Sequence, residues 1–112
     1  MYQLRITDTI PDFDAWRRAF DGYERVRADN GVLAYRVMRS VTDPTEVTIE
    51  LDFADVARTR AYIGVLEKIW SSAGSRRVSA AHSTPTVHEV VVAKAIDPAA
   101  SEAAGSHVAQ SI

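Results

Sequence analysis

The sequence contains no cysteine, which excludes disulfides, thiolate nucleophiles and thiolate metal sites together. The fold must therefore hold by packing. Nor is there an apolar run near the roughly 20 residues that a membrane-spanning helix needs. Residues 1–6 also lack the basic and apolar regions of a secretory leader. The expectation is a cytoplasmic protein with no membrane partner. Charge of one sign is not gathered either: 13 Lys and Arg are interleaved with 15 Asp and Glu for a formal net charge of −2, so no basic footprint exists for nucleic acid or anionic lipid. A phosphate-binding glycine loop, paired metal-ligand spacing and a nucleophile elbow are all missing. No metal and no cofactor is expected from motifs.

What is present is the balance of a globular domain, 46% apolar and 25% charged over 112 residues, a length suited to one core. Tyr2, Leu4 and Ile6 alternate with Gln3, Arg5 and Thr7, the two-residue period of a strand over 2–7. Asp12 is placed to cap a helix whose Phe13, Trp16, Phe20 and Tyr23 recur at three- and four-residue steps along one side. Asp14 with Arg18, and Asp21 with Arg25, stand four apart as solvent-side ion pairs. Asn30-Gly31 marks the helix end. Strands over 32–39 and 46–53 flank the turn Thr42-Asp43-Pro44-Thr45 as an antiparallel hairpin. Asp55 caps a second helix running to about residue 73, with Tyr62, Ile63, Leu66, Ile69, Trp70 and Ala73 inward and Gly74 as its stop. Residues 75–85 read as polar loop, and the β-branched stretch 86–94 as a fourth strand. The Ala- and Ser-rich residues 95–112 carry too little apolar surface to anchor them and are expected to be a mobile tail, or a helical arm across a partner.

This order predicts an α+β, ferredoxin-like βαββαβ sandwich over residues 1–94: a four-stranded antiparallel sheet with two helices on one face. Apolar residues on both parities of the second and fourth strands suggest a second subunit over the other face. At Asp12-Phe13-Asp14-Ala15-Trp16, at Gly31-Val32-Leu33-Ala34-Tyr35-Arg36-Val37 and at Asp43-Pro44 the chain resembles small bacterial proteins of the dimeric α+β barrel superfamily. The resemblance spans residues 1–94 and implies a homodimer with sheets face to face as a dimeric α/β barrel. Members include antibiotic-biosynthesis monooxygenases, polyketide cyclases, haem-degrading enzymes and stress-responsive proteins of unknown activity. The motifs are structural, so they speak to fold more than function.

The candidate ligand-binding residues are Trp16, Phe20, Tyr23, Tyr62 and Trp70. Aromatic walls suit a flat aromatic ligand, and the resemblance implies a cleft between helices and sheet. An ordinary core would hold the same residues. His82, before the last strand, is the candidate catalytic residue or haem ligand. His88 cannot pair with adjacent Glu89, because neighbouring strand residues face opposite sides. It reads as a surface or interface residue, and His107 belongs to the tail. Arg5, Arg36, Arg39, Glu50 and Asp52 form either a polar barrel interior or ion pairs at an interface or in water, and Arg76-Arg77 a solvated loop step. Three functions stay open: a cofactor-independent monooxygenase or cyclase acting on an aromatic or polyketide-like substrate, a non-catalytic homo-oligomeric module, and a haem-binding protein. The monooxygenases' tryptophan and asparagine pattern finds no match here, so no catalytic residue is carried over.

Overall fold

The computed structural model describes residues 1–98, so most of the expected 95–112 tail, His107 included, lies outside the described residues. The elements run β1 (Tyr2–Thr9), α1 (Phe13–Asp21), α2 (Glu24–Asp29), β2 (Ala34–Arg39), β3 (Glu46–Phe53), α3 (Val56–Trp70), α4 (Ala73–Val78), β4 (Ala81–His82) and β5 (Thr86–Glu89). The sheet is antiparallel in the order β2-β3-β1, and β4 and β5 both pair with the remaining edge of β1. The expected fourth strand is thus a lane in two pieces. Pro85, which has no backbone donor, sits between them, where Thr7 N–H donates to the Ser83 hydroxyl at 2.9 Å and Ser83 N–H to Thr7 O at 2.7 Å.

That lane ends earlier than 94. The last bond that this lane makes to the β1 segment is Val90 N–H to Met1 O at 2.9 Å. Val91 and Val92 are consequently 80% and 83% exposed. β propensity alone places them in a strand.

Period-two alternation decides the core. Leu4 and Ile6 of β1 and Val47, Ile49, Leu51 and Phe53 of β3 face the helices and are buried. Tyr35, Val37 and Arg39 lie on that side of β2, leaving Ala34, Arg36 and Met38 on the open face. Arg39 is therefore separate from the other four charged residues, and its guanidinium lies 4.8 Å from the Phe13 ring.

The first helix is broken at Gly22-Tyr23. Gly22 N–H is shared between Arg18 O and Ala19 O, Tyr23 N–H turns back to Phe20 O, and α2 restarts with Arg27 N–H on Tyr23 O. The expected Asp14–Arg18 and Asp21–Arg25 pairs give way to Arg17–Asp21 at 3.0 Å and Arg25–Asp29 at 3.3 Å; the break carries Asp21 and Arg25 into different helices, and nothing in the structure explains the loss of Asp14–Arg18. Asp55 caps α3 as expected, accepting from Arg58 N–H at 2.8 Å. Gly74 is not its stop. The Ser71 and Ser72 hydroxyls donate back to Lys68 O and Ile69 O, and Ser72 then caps α4, so Ala73 is exposed at the start of a new turn within the expected loop.

Candidate active site

The helix layer and the sheet enclose a cavity of about 70 Å³. All five aromatic candidates line it: Trp16 and Phe20 from α1, Tyr23 from the helix break, Tyr62 and Trp70 from α3. Trp16 stacks on Phe20 with centroids 4.8 Å apart, and Phe20 meets Tyr35 edge-on at 5.4 Å. Trp16 and Phe20 thus form one stacked section of the cavity wall, backed by Tyr35. Burial raises the Tyr62 phenol above its usual value.

Two charged residues share this apolar space, and neither is among the sequence candidates. Asp8 is 5% exposed and lines the cavity beside Ile6. Burial raises its carboxyl from an ordinary 3.8 to about 6, against the opposing pulls of His82 and of a hydrogen bond from Trp16. Desolvation is the dominant cause, as for any carboxylate withdrawn from water. Arg27, 4% exposed, donates from Nη2 to Phe20 O at 2.7 Å and to Glu24 Oε2 at 3.2 Å, and its guanidinium carbon lies 3.9 Å from the Phe20 ring centre. Glu24 also accepts from the Tyr35 hydroxyl at 2.7 Å; these two bonds hold its carboxyl below the usual range, and the Tyr35 phenol is raised in return.

Both omissions had a readable signal. Asp8 continues the inward parity of Leu4 and Ile6, visible once the first strand is extended to Thr9. Arg27 follows Trp16, Phe20 and Tyr23 at the next four-residue step.

His82 lies outside the cavity wall. Its ring is exposed and stacks on the Trp70 indole at 3.7 Å, tilted by 17°, so Trp70 separates it from the interior. It is nonetheless the register partner of Asp8, which explains its field there. His88 pairs in register with Gln3 on the open face, and its Nε2 is 2.8 Å from the Thr86 hydroxyl. Arg76 and Arg77 are exposed on α4. On the open face Arg5 pairs with Glu50, and Arg36 bridges Glu50 and Asp52 at 3.1 Å each. Among the described residues no three His, Cys, Asp or Glu side chains converge as a metal site requires.

No protein-family model matches the chain, and no curated protein matches it in sequence. Solved structures do. A dimeric ferredoxin-like protein from an uncultured marine organism aligns with a TM-score of 0.59 and 15% identity over 83% of this chain and 97% of its own. The chain has the ferredoxin-like fold. SnoaB, a cofactor-independent oxygenase from Streptomyces nogalater, shares that fold at 0.61 and 13% identity, over 87% of this chain and 96% of its own. A proposed antibiotic biosynthesis monooxygenase from Chloroflexus aurantiacus J-10-fl aligns at 0.61 and 18%, over 86% and 98%. At these identities the ferredoxin-like fold is what is shared.

Proposed function

We propose that the chain is a small-molecule enzyme that oxidises an electron-rich hydroxyaryl or polyketide-like substrate with molecular oxygen and no cofactor. The observation that carries this is Asp8: a buried carboxylate, poised at about 6, on the wall of an aromatic-lined, mainly apolar cavity. A base of that strength near neutral pH is suited to taking a proton from a phenol or enol. Water exclusion then keeps the resulting anion reactive. Its electrons reduce oxygen as a carbon–oxygen bond forms, and the hydroperoxide loses water. Asp8 returns its proton to the peroxide anion before that loss, so that one ring CH2 of the keto tautomer and one O2 give one C=O and one H2O. The oxygenase neighbours of the same fold support the reading. A second copy covering the open sheet face, as the dimeric neighbour's name suggests, completes it as a homodimer.

A single-ring ligand such as benzene occupies a cavity of about 150 Å³, so the 70 Å³ here requires the walls to yield. Helix α4, a six-residue turn with no buried residue, is the natural part to move. The same small volume favours the second reading, a non-catalytic module in which the cavity is only core. Oxygen uptake with anthrone, whose enol is a polycyclic phenol, separates them. The enzyme reading expects uptake by the native chain and a loss of about 10²-fold or more in Asp8→Asn. Absence of uptake, together with no ligand-induced rise in melting temperature across polycyclic phenols, supports the module.

A further inference from the structure

Ile6, Ile49 and Leu51 floor the cavity on β1 and β3, whose ladder runs unbroken from Tyr2 to Thr9, so a small molecule does not pass through the sheet. Tyr62, 2% exposed, and the Trp16–Phe20 stack fill the helix side. Beyond the end of α3 an open groove runs over the surface, lined by Glu67, Ser71 and residues 82–85. Among the described residues Trp70 is the one that lines both spaces. Its indole is therefore a partition between groove and interior.

The two sides of that partition are held differently. Trp70 is the last residue of α3, and helix ends open at far lower cost than helix middles. The chain past it is fastened only locally, by the Ser71 and Ser72 hydroxyls on Lys68 O and Ile69 O. On the groove side the indole is covered by the His82 ring, 3.7 Å away and tilted by 17°. His82 belongs to the sheet. Strand β4 is paired to β1 at Asp8 and Thr9, Ser83 N–H donates to Thr7 O at 2.7 Å, and the His82 Nδ1 lies 3.2 Å from Ser83 O. One stacked pair thus ties a frayable helix end to a fixed strand.

We infer that Trp70 is the gate of the cavity and His82 its latch, small molecules passing in from the groove when the indole leaves the imidazole. Opening joins groove to interior, which gives a single ring the room that about 70 Å³ does not. Helix α4, whose Ser75 and Val78 also line the cavity, follows directly and has no buried residue, so it can shift with the indole. The inference goes beyond the oxygenase reading, because it concerns how the cavity is reached and not the chemistry that follows. The competing reading is a core tryptophan with a histidine as its surface cover.

The lack of cysteine makes the test direct. Ile49→Cys puts a single thiol on the cavity floor at a position 4% exposed, and methyl methanethiosulfonate, a small neutral reagent, modifies it only when the cavity opens. The rate is followed by mass spectrometry on the full chain at several low urea concentrations. A gate gives a rate that barely depends on urea, since a local opening exposes little surface. Adding His82→Ala should raise that rate roughly 3- to 10-fold, the worth of one aromatic pair, and His82→Phe, which keeps a stack, should restore it. Glu24→Gln weakens the bonds to Arg27 and Tyr35 beside β2, at the opposite edge of the sheet from β4, and should leave the rate unchanged. Should Ile49→Cys fail to fold, the chain labelled with 5-fluorotryptophan answers without it: of its two tryptophans, Trp70 and not Trp16 should show exchange broadening, increased in His82→Ala. A rate that follows global unfolding in its urea dependence, no change in His82→Ala by the measurement used, or an equal rise in Glu24→Gln overturns the inference. None of these measurements involves substrate or oxygen, so the gate and the oxygenase reading stand or fall separately.

Discussion

Asp8 works against stability at the pH where it is proposed to act. A carboxyl whose folded value is about 6 against an ordinary 3.8 binds more protons in the folded chain than in the unfolded one. Stability from this group is therefore fully present below about pH 4 and is lost as pH rises through about 6, to a total of about 3 kcal/mol. Asp8→Asn removes that slope. Urea titrations at a series of pH values should show the variant matching the native chain near pH 4 and exceeding it above pH 6; parallel curves would mean that Asp8 is not desolvated. Retaining so costly a group fits a site that needs it. At this scale the aromatic residues were legible, because a stripe at helical spacing must face inward whether it binds a ligand or not. Asp8 was not, because a strand ending at Thr7 leaves a carboxylate in phase with Leu4 and Ile6 looking like the start of a turn.

Helix starts were easier to read than helix ends. Asp12 and Asp55 each cap as their side chains dictate, because the cap is a local bond between neighbours in sequence. Asp55→Ala should cost about 1 kcal/mol, seen as a lowered melting temperature. Ends depend on how the chain continues past the last turn. Gly31 does stop α2, at φ +85°, but Gly22 and Gly74 lie in helical geometry and the serines at 71 and 72 end α3 instead. Gly31→Ala should destabilise by about 1–2 kcal/mol, a fall in melting temperature of roughly 5 °C or more. Its added Cβ would also sit 3.0 Å from Arg58 Cδ, although that flexible side chain can yield. Ala at Gly74, where a Cβ meets nothing within 4 Å, should be neutral or slightly stabilising in the same assay.

For the molecule as a whole, the order of elements was enough to predict the sheet, because each helix must return the chain to a lane that right-handed crossovers permit. What covers the open face was less legible. Glu50 and Asp52 are buried there within a single chain, shielded by Arg5 and Arg36, so their burial does not by itself demand a partner. Met38, 42% exposed on the same face, is the better probe. Sedimentation at micromolar concentration should give a dimer for the native chain and a monomer for Met38→Asp; a native monomer would remove the homodimer from the proposal. The placement of β1 has one more consequence. β1 is synthesised before both of its partners, bonded on one edge to residues 46–53 and on the other to 81–89. It must wait for almost the entire chain before it can be completed, while α1 and α2 need only their neighbours. Folding that depends on such distant pairings is slow, so the nascent chain should stay sensitive to proteases until residue 89 has emerged from the ribosome, and then become resistant in one step.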